Sequence, residues 1–142
     1  MRVRQLIALS VPAWLVVGVF WLVTTRSRHP TFGLAVITTA AIMVAYAIAA
    51  YINHLALIPR YLRRHQPVRY AAMLAAVMSL LTVVALMVIR AAYERVVGPE
   101  PDPVRTWVTH FGIDLFGMGV HLVVAAVVVR IARRWVRETA AG

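Results

Sequence analysis

The stretch from Gly33 to Ile58 reads GLAVITTAAIMVAYAIAAYINHLALI and contains one histidine, His54, but no Asp, Glu, Lys or Arg. As a helix, these 26 residues would be about 39 Å long, because each residue adds about 1.5 Å. A helix of about 20 apolar residues is enough to cross the hydrocarbon core of a bilayer. The stretch also lacks the polar–apolar alternation of a strand, and only helices and closed barrels satisfy their backbone groups in lipid. It therefore predicts a transmembrane helix.

Three further apolar stretches lie at about residues 6–23, 70–89 and 106–129, and the last of them contains one Asp and two His. Together with 33–58 they predict an all-α, polytopic membrane protein: a four-transmembrane-helix bundle that forms a single transmembrane domain over residues 1–142. The chain is 62% hydrophobic and 14% charged, whereas soluble domains are roughly 45–50% apolar and about 25% charged. The absence of cysteine excludes disulfides and zinc–thiolate sites.

The net charge is +10, and every basic residue is an arginine. Ten arginines lie on the side of the two termini and the 59–69 loop, against five on the other side, which predicts that both termini are cytoplasmic. The arginines border apolar runs rather than one solvated face, so we expect contact with anionic lipid headgroups and no nucleic acid. The predicted cytoplasmic basic surface consists of Arg60, Arg63, Arg64, Arg69, Arg130, Arg133, Arg134 and Arg137.

The fourth span carries a polar stripe. Thr106, His110, Asp114, Gly117 and His121 recur at intervals of three or four residues and so share one helix face. Ionisable residues near the membrane centre usually face the bundle interior and are candidates for function. The functional interpretation of the stripe is a proton-sensitive element, or a polar pocket for a quinone-like or ionic ligand. The structural interpretation is a hydrogen-bond network between helices.

The second span offers partners for this stripe. Tyr46 and Asn53 are seven residues apart on one face, and His54 adjoins them. The predicted intramembrane polar element therefore comprises His110, Asp114, His121, Tyr46, Asn53 and His54. His54 and His121 are expected near the cytoplasmic side, where two imidazoles on facing helices can ligate a haem. No metal site and no cofactor are predicted; haem at this pair and a quinone stay as alternatives.

Shorter features make structural predictions. Arg90 and Glu94 are four residues apart and are expected to pair at the outer interface. Gly112, Gly117 and Gly119 are expected to allow close helix packing. Trp21, Tyr93 and Trp107 are interpreted as part of an aromatic belt at the outer interface.

The segment from Tyr51 to Arg64, YINHLALIPRYLRR, is followed by Tyr70. It resembles the end of the second span in membrane domains of bacterial sensor histidine kinases that partner LytTR-type response regulators. The closing RIARRWVRE, Arg130–Glu138, is similar to that family's exit from the fourth span. The resemblance implies four spans in the bacterial cytoplasmic (inner) membrane and a helix leading towards a kinase. The sequence departs from that family because it contains neither the phosphoacceptor Asn-Pro-His-Phe motif nor the glycine-rich ATP lid.

The sequence contains no P-loop, no His-Glu-x-x-His and no nucleophile elbow, so we expect no enzyme activity from this chain. The leading hypothesis is a non-catalytic membrane module of the sensor-kinase type. It would act as a homodimer and relay a signal from the membrane or outer face to the cytoplasmic helix after span four. The alternative is an accessory or structural subunit of a larger respiratory or photosynthetic membrane complex, in contact with lipid, quinone or another cofactor. A third hypothesis, a proton- or ion-conducting bundle, rests on the fourth-span stripe.

Overall fold

The computed structural model describes residues 3–99 and 103–139, and in these ranges the chain is helical without any strand. Each predicted span falls within helix, the second span extending into a π-helical segment. The elements in chain order are α1 (Val3–Thr25), a single 3₁₀ turn (Arg26–Arg28), α2 (Phe32–Ile52), the π-helical segment (Asn53–Leu62), α3 (Pro67–Val96) and α4 (Pro103–Thr139).

Three helical stretches are long and apolar enough to cross a membrane, counted over the residues whose side chains the structure describes. They are Phe32–Leu62, Pro67–Val96 and Thr106–Val127, of 31, 30 and 22 residues. Large apolar side chains cover the outside of the bundle, including Val16, Phe20, Leu80 and Phe116. An exterior of this kind suits contact with lipid, because bilayer tails solvate apolar side chains that water would not. The chain therefore has the features of a membrane protein.

Local sequence sets the helix ends. The Thr31 hydroxyl accepts a hydrogen bond from the Leu34 amide at 3.2 Å, which caps the first turn of α2. Pro67 opens α3, a position where its missing N–H costs nothing. Just beyond the other end of α3, Gly98 adopts φ 100°, a conformation that favours glycine.

The π-helical segment Asn53–Leu62 contains Pro59 and is held by hydrogen bonds five residues apart, such as Arg63 N to Ile58 O at 3.0 Å. Pro59 has no N–H for an α-helical bond, and its ring conflicts with the carbonyl four residues earlier. A wider turn accommodates both restrictions. The span predicted at 33–58 is therefore α-helical up to Ile52 and π-helical beyond it.

α2 is the central helix and packs against α1, α3 and α4. Small residues on it, Ala45 and Ala49, are buried and let the neighbouring helices approach closely. The core around them comprises Met43, Ala45, Tyr46, Ala49, Ala85, Met118 and Leu122. This packing fixes α4 against Tyr46 of α2.

Candidate functional site

A cavity of about 710 Å³ opens between the helices at the end of the bundle that carries the 26–31 turn and Gly98. Its volume lies within the range of small-molecule pockets, about 300–1,000 Å³. All four helices line it, and it follows α4 from Thr106 to His121, about 22 Å of helix. Four of the predicted polar residues line this cavity: Tyr46, His110, Asp114 and His121.

His121 is the point at which α1 and α4 meet through their side chains. The Trp21 indole Nε1 donates to His121 Nε2 at 3.4 Å, and His121 Nδ1 lies 2.8 Å from the Gly117 carbonyl oxygen. The Trp14 ring stacks against the same imidazole at 6.5 Å between centroids. Because a carbonyl only accepts and an indole N–H only donates, the proton of His121 must be on Nδ1. Both ring nitrogens of His121 are therefore engaged by neutral groups.

Tyr46 connects α2 to the same turn of α4. Its hydroxyl donates to the Asp114 carbonyl oxygen at 3.0 Å, and its ring lies 4.7 Å from that of His121. A Cβ added at Gly117 would lie 2.5 Å from the Tyr46 hydroxyl oxygen. Gly117 is therefore needed for this approach, which agrees with its expected role in close packing. Gly112 has open space at the equivalent position, and Gly119 is in ordinary contact with Met78.

The Asp114 carboxylate is half-buried in the cavity wall. Within the described ranges it has neither a hydrogen bond nor a salt bridge, and the ionisable side chain that interacts with it is His110, one turn nearer the mouth. His110 is exposed. A carboxylate at this depth is costly without a compensating charge, since burial removes its hydration.

Polar contacts surround the cavity mouth. Arg90 Nε lies 2.5 Å from Glu94 Oε1, so the predicted pair is confirmed, with both side chains more than 40% exposed. His29 Nδ1 contacts the Tyr93 hydroxyl, which ties the 26–31 turn to the end of α3. Arg26 Nη1 donates to the His29 carbonyl oxygen at 3.1 Å. Burial lowers the pKa of the His29 imidazole, and the positive charge of Arg26 lowers it further.

Asn53 and His54 do not line the cavity. Asn53 is buried, and its Oδ1 accepts a hydrogen bond from the Tyr70 hydroxyl at 2.9 Å, which joins the π-helical segment to α3. His121 lies at the level of Tyr46, eight residues and about 12 Å of helix from His54. With both His121 nitrogens engaged, neither is directed at a haem position. The geometry does not fit the suggested pair.

The basic surface at the other end of the bundle is solvent-accessible where the structure describes it. The side chains of Arg60, Arg63, Arg64, Arg69 and Arg130 are exposed. Arg133, Arg134 and Arg137 follow on the backbone of α4, and their side chains lie outside the described set. This arrangement leaves the arginines around the α2–α3 turn accessible to headgroups.

Sequence reasoning missed the contribution of α1 to the site. Trp21 and Tyr93 were expected at a membrane interface, and no role was predicted for Trp14. In the structure the rings of Trp14 and Trp21 contact His121, and Tyr93 lines the cavity. The shared helix face of Trp14 and Trp21, seven residues apart, was the available signal.

Comparisons with protein-family models, curated proteins and solved structures found no match to this chain. The resemblance to sensor-kinase membrane domains therefore rests on the sequence pattern.

Proposed function

We propose that this chain is a non-catalytic membrane module of the sensor type. It detects a change in the cavity and relays that change along α4 to the cytoplasmic side. The observation that supports this is the continuity of α4, which lines the cavity at Asp114 and His121 and runs without interruption to Thr139. The helix between His121 and Thr139 adds about 27 Å. A displacement of α4 at the cavity would therefore be transmitted along this continuous helix to the cytoplasmic side.

Topology follows from the arginine distribution. We propose four spans with both termini in the cytoplasm, in the cytoplasmic membrane of a bacterium, and a homodimer as the working unit. In this orientation the cavity opens outwards and the closing helix, Arg130–Glu138, faces the cytoplasm. The arginines around the α2–α3 turn would contact anionic headgroups and fix the inner end of the bundle.

The relay would act through the two turns of α4 between Asp114 and His121. Tyr46 contacts this part of the helix from α2 and the two tryptophans contact it from α1, through His121. A ligand or charge that moves either contact changes how α4 is held by both neighbours. Packed helices respond to such changes by shifts of about 1–2 Å.

The test uses spin labels at the inner end of the bundle. Because the chain has no native cysteine, Val68→Cys and Val127→Cys introduce a labelled pair on α3 and α4, both at exposed positions. The distance between the labels is measured by double electron–electron resonance in lipid nanodiscs. Gly117→Ala, which displaces the Tyr46 hydroxyl, should shift the distance by about 1–2 Å.

Gly112→Ala is the matched control on the same helix, since a Cβ added at Gly112 meets nothing within 4 Å among the described residues. It should leave the distance unchanged. Equal distances in the Gly117→Ala and unmodified proteins would show that the cavity does not communicate with the inner end. Native mass spectrometry of the chain from its own membrane gives a second test, because stoichiometric binding to unrelated chains would identify an accessory subunit instead.

A further inference from the structure

We propose that the cavity binds a lipophilic organic cation, with the Asp114 carboxylate as its counter-ion and aromatic rings as its walls. This inference rests on the proposed function in one respect: it takes the same cavity as the sensing site and names the class of ligand. The occupant would be an ammonium, phosphonium or similar cation with a ring-bearing or branched apolar body.

The first argument is the charge at the depth of the cavity. Asp114 lines the cavity in the first third of α4, without a salt bridge or side-chain hydrogen bond in the part of the chain that is described. His121, seven residues and about two turns deeper on α4, has both ring nitrogens engaged by neutral groups, the Trp21 indole and the Gly117 carbonyl. A cation beside Asp114 would supply the charge that the surrounding helices do not.

The second argument is the chemistry of the walls. Trp21, Tyr46, Tyr93 and Trp107 line the cavity together with aliphatic side chains. Aromatic faces attract cations, and the attraction strengthens when the site is shielded from water. Apolar walls around one carboxylate favour a weakly hydrated organic cation over a small metal ion, which would require several oxygen ligands.

The third argument concerns the charges at the mouth. Arg90 is neutralised by Glu94, and Arg28 is exposed at the rim. On α4 between Thr106 and His121, and on α2 between Thr38 and Tyr46, no lysine or arginine is among the described residues that line the cavity. An anionic ligand would therefore meet an uncompensated carboxylate part-way along the cavity.

The experiment compares two probes of the same shape and opposite charge. Tetraphenylphosphonium and tetraphenylborate are titrated into the full chain in detergent micelles, with empty micelles as the blank, and binding is measured by calorimetry. We expect saturable binding of the cation, at least about tenfold tighter than that of the anion, since the two differ only in the sign of their interaction with the site. Decylubiquinone serves as the uncharged probe.

Three variants test the position of the site. Asp114→Asn should weaken binding of tetraphenylphosphonium by about tenfold or more, because it removes the counter-ion at nearly constant volume. Glu138→Gln removes the same charge 24 residues further along α4, about 36 Å away, and should change binding by less than about twofold. Trp107→Leu should weaken binding by about two- to fivefold through loss of one ring face.

Equal affinity for both tetraphenyl ions, or quinone binding without cation binding, would overturn the proposal. The unmodified protein alone decides this, even if Asp114→Asn fails to fold. The labelled pair at Val68 and Val127 then separates the two proposals. If the cation binds but the label distance does not change, the ligand class is retained and the relay is refuted. If Gly117→Ala shifts the label distance but the cation does not bind, the relay is retained and the ligand class is refuted.

Discussion

Replacing Gly117 with alanine should destabilise the bundle through one contact, that of the new methyl group with the Tyr46 hydroxyl. The added Cβ would lie 2.5 Å from the hydroxyl oxygen and 3.5 Å from the Cζ atom that carries it. The oxygen must move, which breaks its 3.0 Å bond to the Asp114 carbonyl. Overpacking costs about 1–3 kcal/mol, and an interhelical hydrogen bond in a membrane contributes about 0.6 kcal/mol. Alanine recovers up to about 1 kcal/mol of helix propensity, so we expect a net loss of about 1–2 kcal/mol.

The free energy of unfolding is measured by titrating mixed micelles with a denaturing detergent and following tryptophan fluorescence and circular dichroism. Gly112→Ala provides the control on the same helix and should be neutral or stabilising, because its Cβ meets open space. Tyr46→Phe removes the oxygen and leaves the ring. On that background Gly117→Ala should cost little, since the nearest remaining atom lies at ordinary contact distance.

The double-mutant cycle therefore predicts a coupling of about 1 kcal/mol or more between the two positions. A Gly117→Ala variant as stable as Gly112→Ala would contradict the close approach of Tyr46 to α4. The same conclusion would follow if the free energies lost in the two single variants, Gly117→Ala and Tyr46→Phe, simply added up in the double variant, because the two positions would then be independent.

Two further predictions concern single side chains. Thr82 is 2% exposed and its hydroxyl has no hydrogen-bond partner among the described residues, so Thr82→Val should leave the stability unchanged or raise it by up to about 1 kcal/mol in the same titration. A loss of more than about 1 kcal/mol would indicate that the hydroxyl forms a hydrogen bond. Since burial and Arg26 lower the pKa of His29 in the folded protein, the unfolded chain binds that proton more readily and stability should fall as the pH drops below the ordinary value of 6.5. The thermal midpoint should therefore decrease less between about pH 7 and pH 5 in His29→Gln than in the unmodified protein, and equal decreases would exclude His29 as the cause.

The polar stripe on α4 shows how far sequence reasoning reached the site. Spacing alone placed His110, Asp114 and His121 on one face, and the structure brings these three to one cavity with Tyr46. Spacing also grouped Asn53 with Tyr46, yet Asn53 bonds to Tyr70 at a different level. The reason is that seven residues of α-helix separate the two side chains by about 10 Å, so they share a face of α2 but not a level, and Asn53 meets α3 below the cavity.

The sequence by itself determined the helical class and the membrane character, because uncharged runs of about 20 residues have few other stable structures. It also determined the Arg90–Glu94 pair, since a four-residue spacing fixes that proximity within one helix. Only the tertiary structure decided which helices meet. The contacts of Trp14 and Trp21 with His121, and of Tyr46 with the turn around Gly117, depend on how α1 and α4 are rotated about α2. That rotation results from packing among many side chains far apart in the chain, which no local pattern specifies.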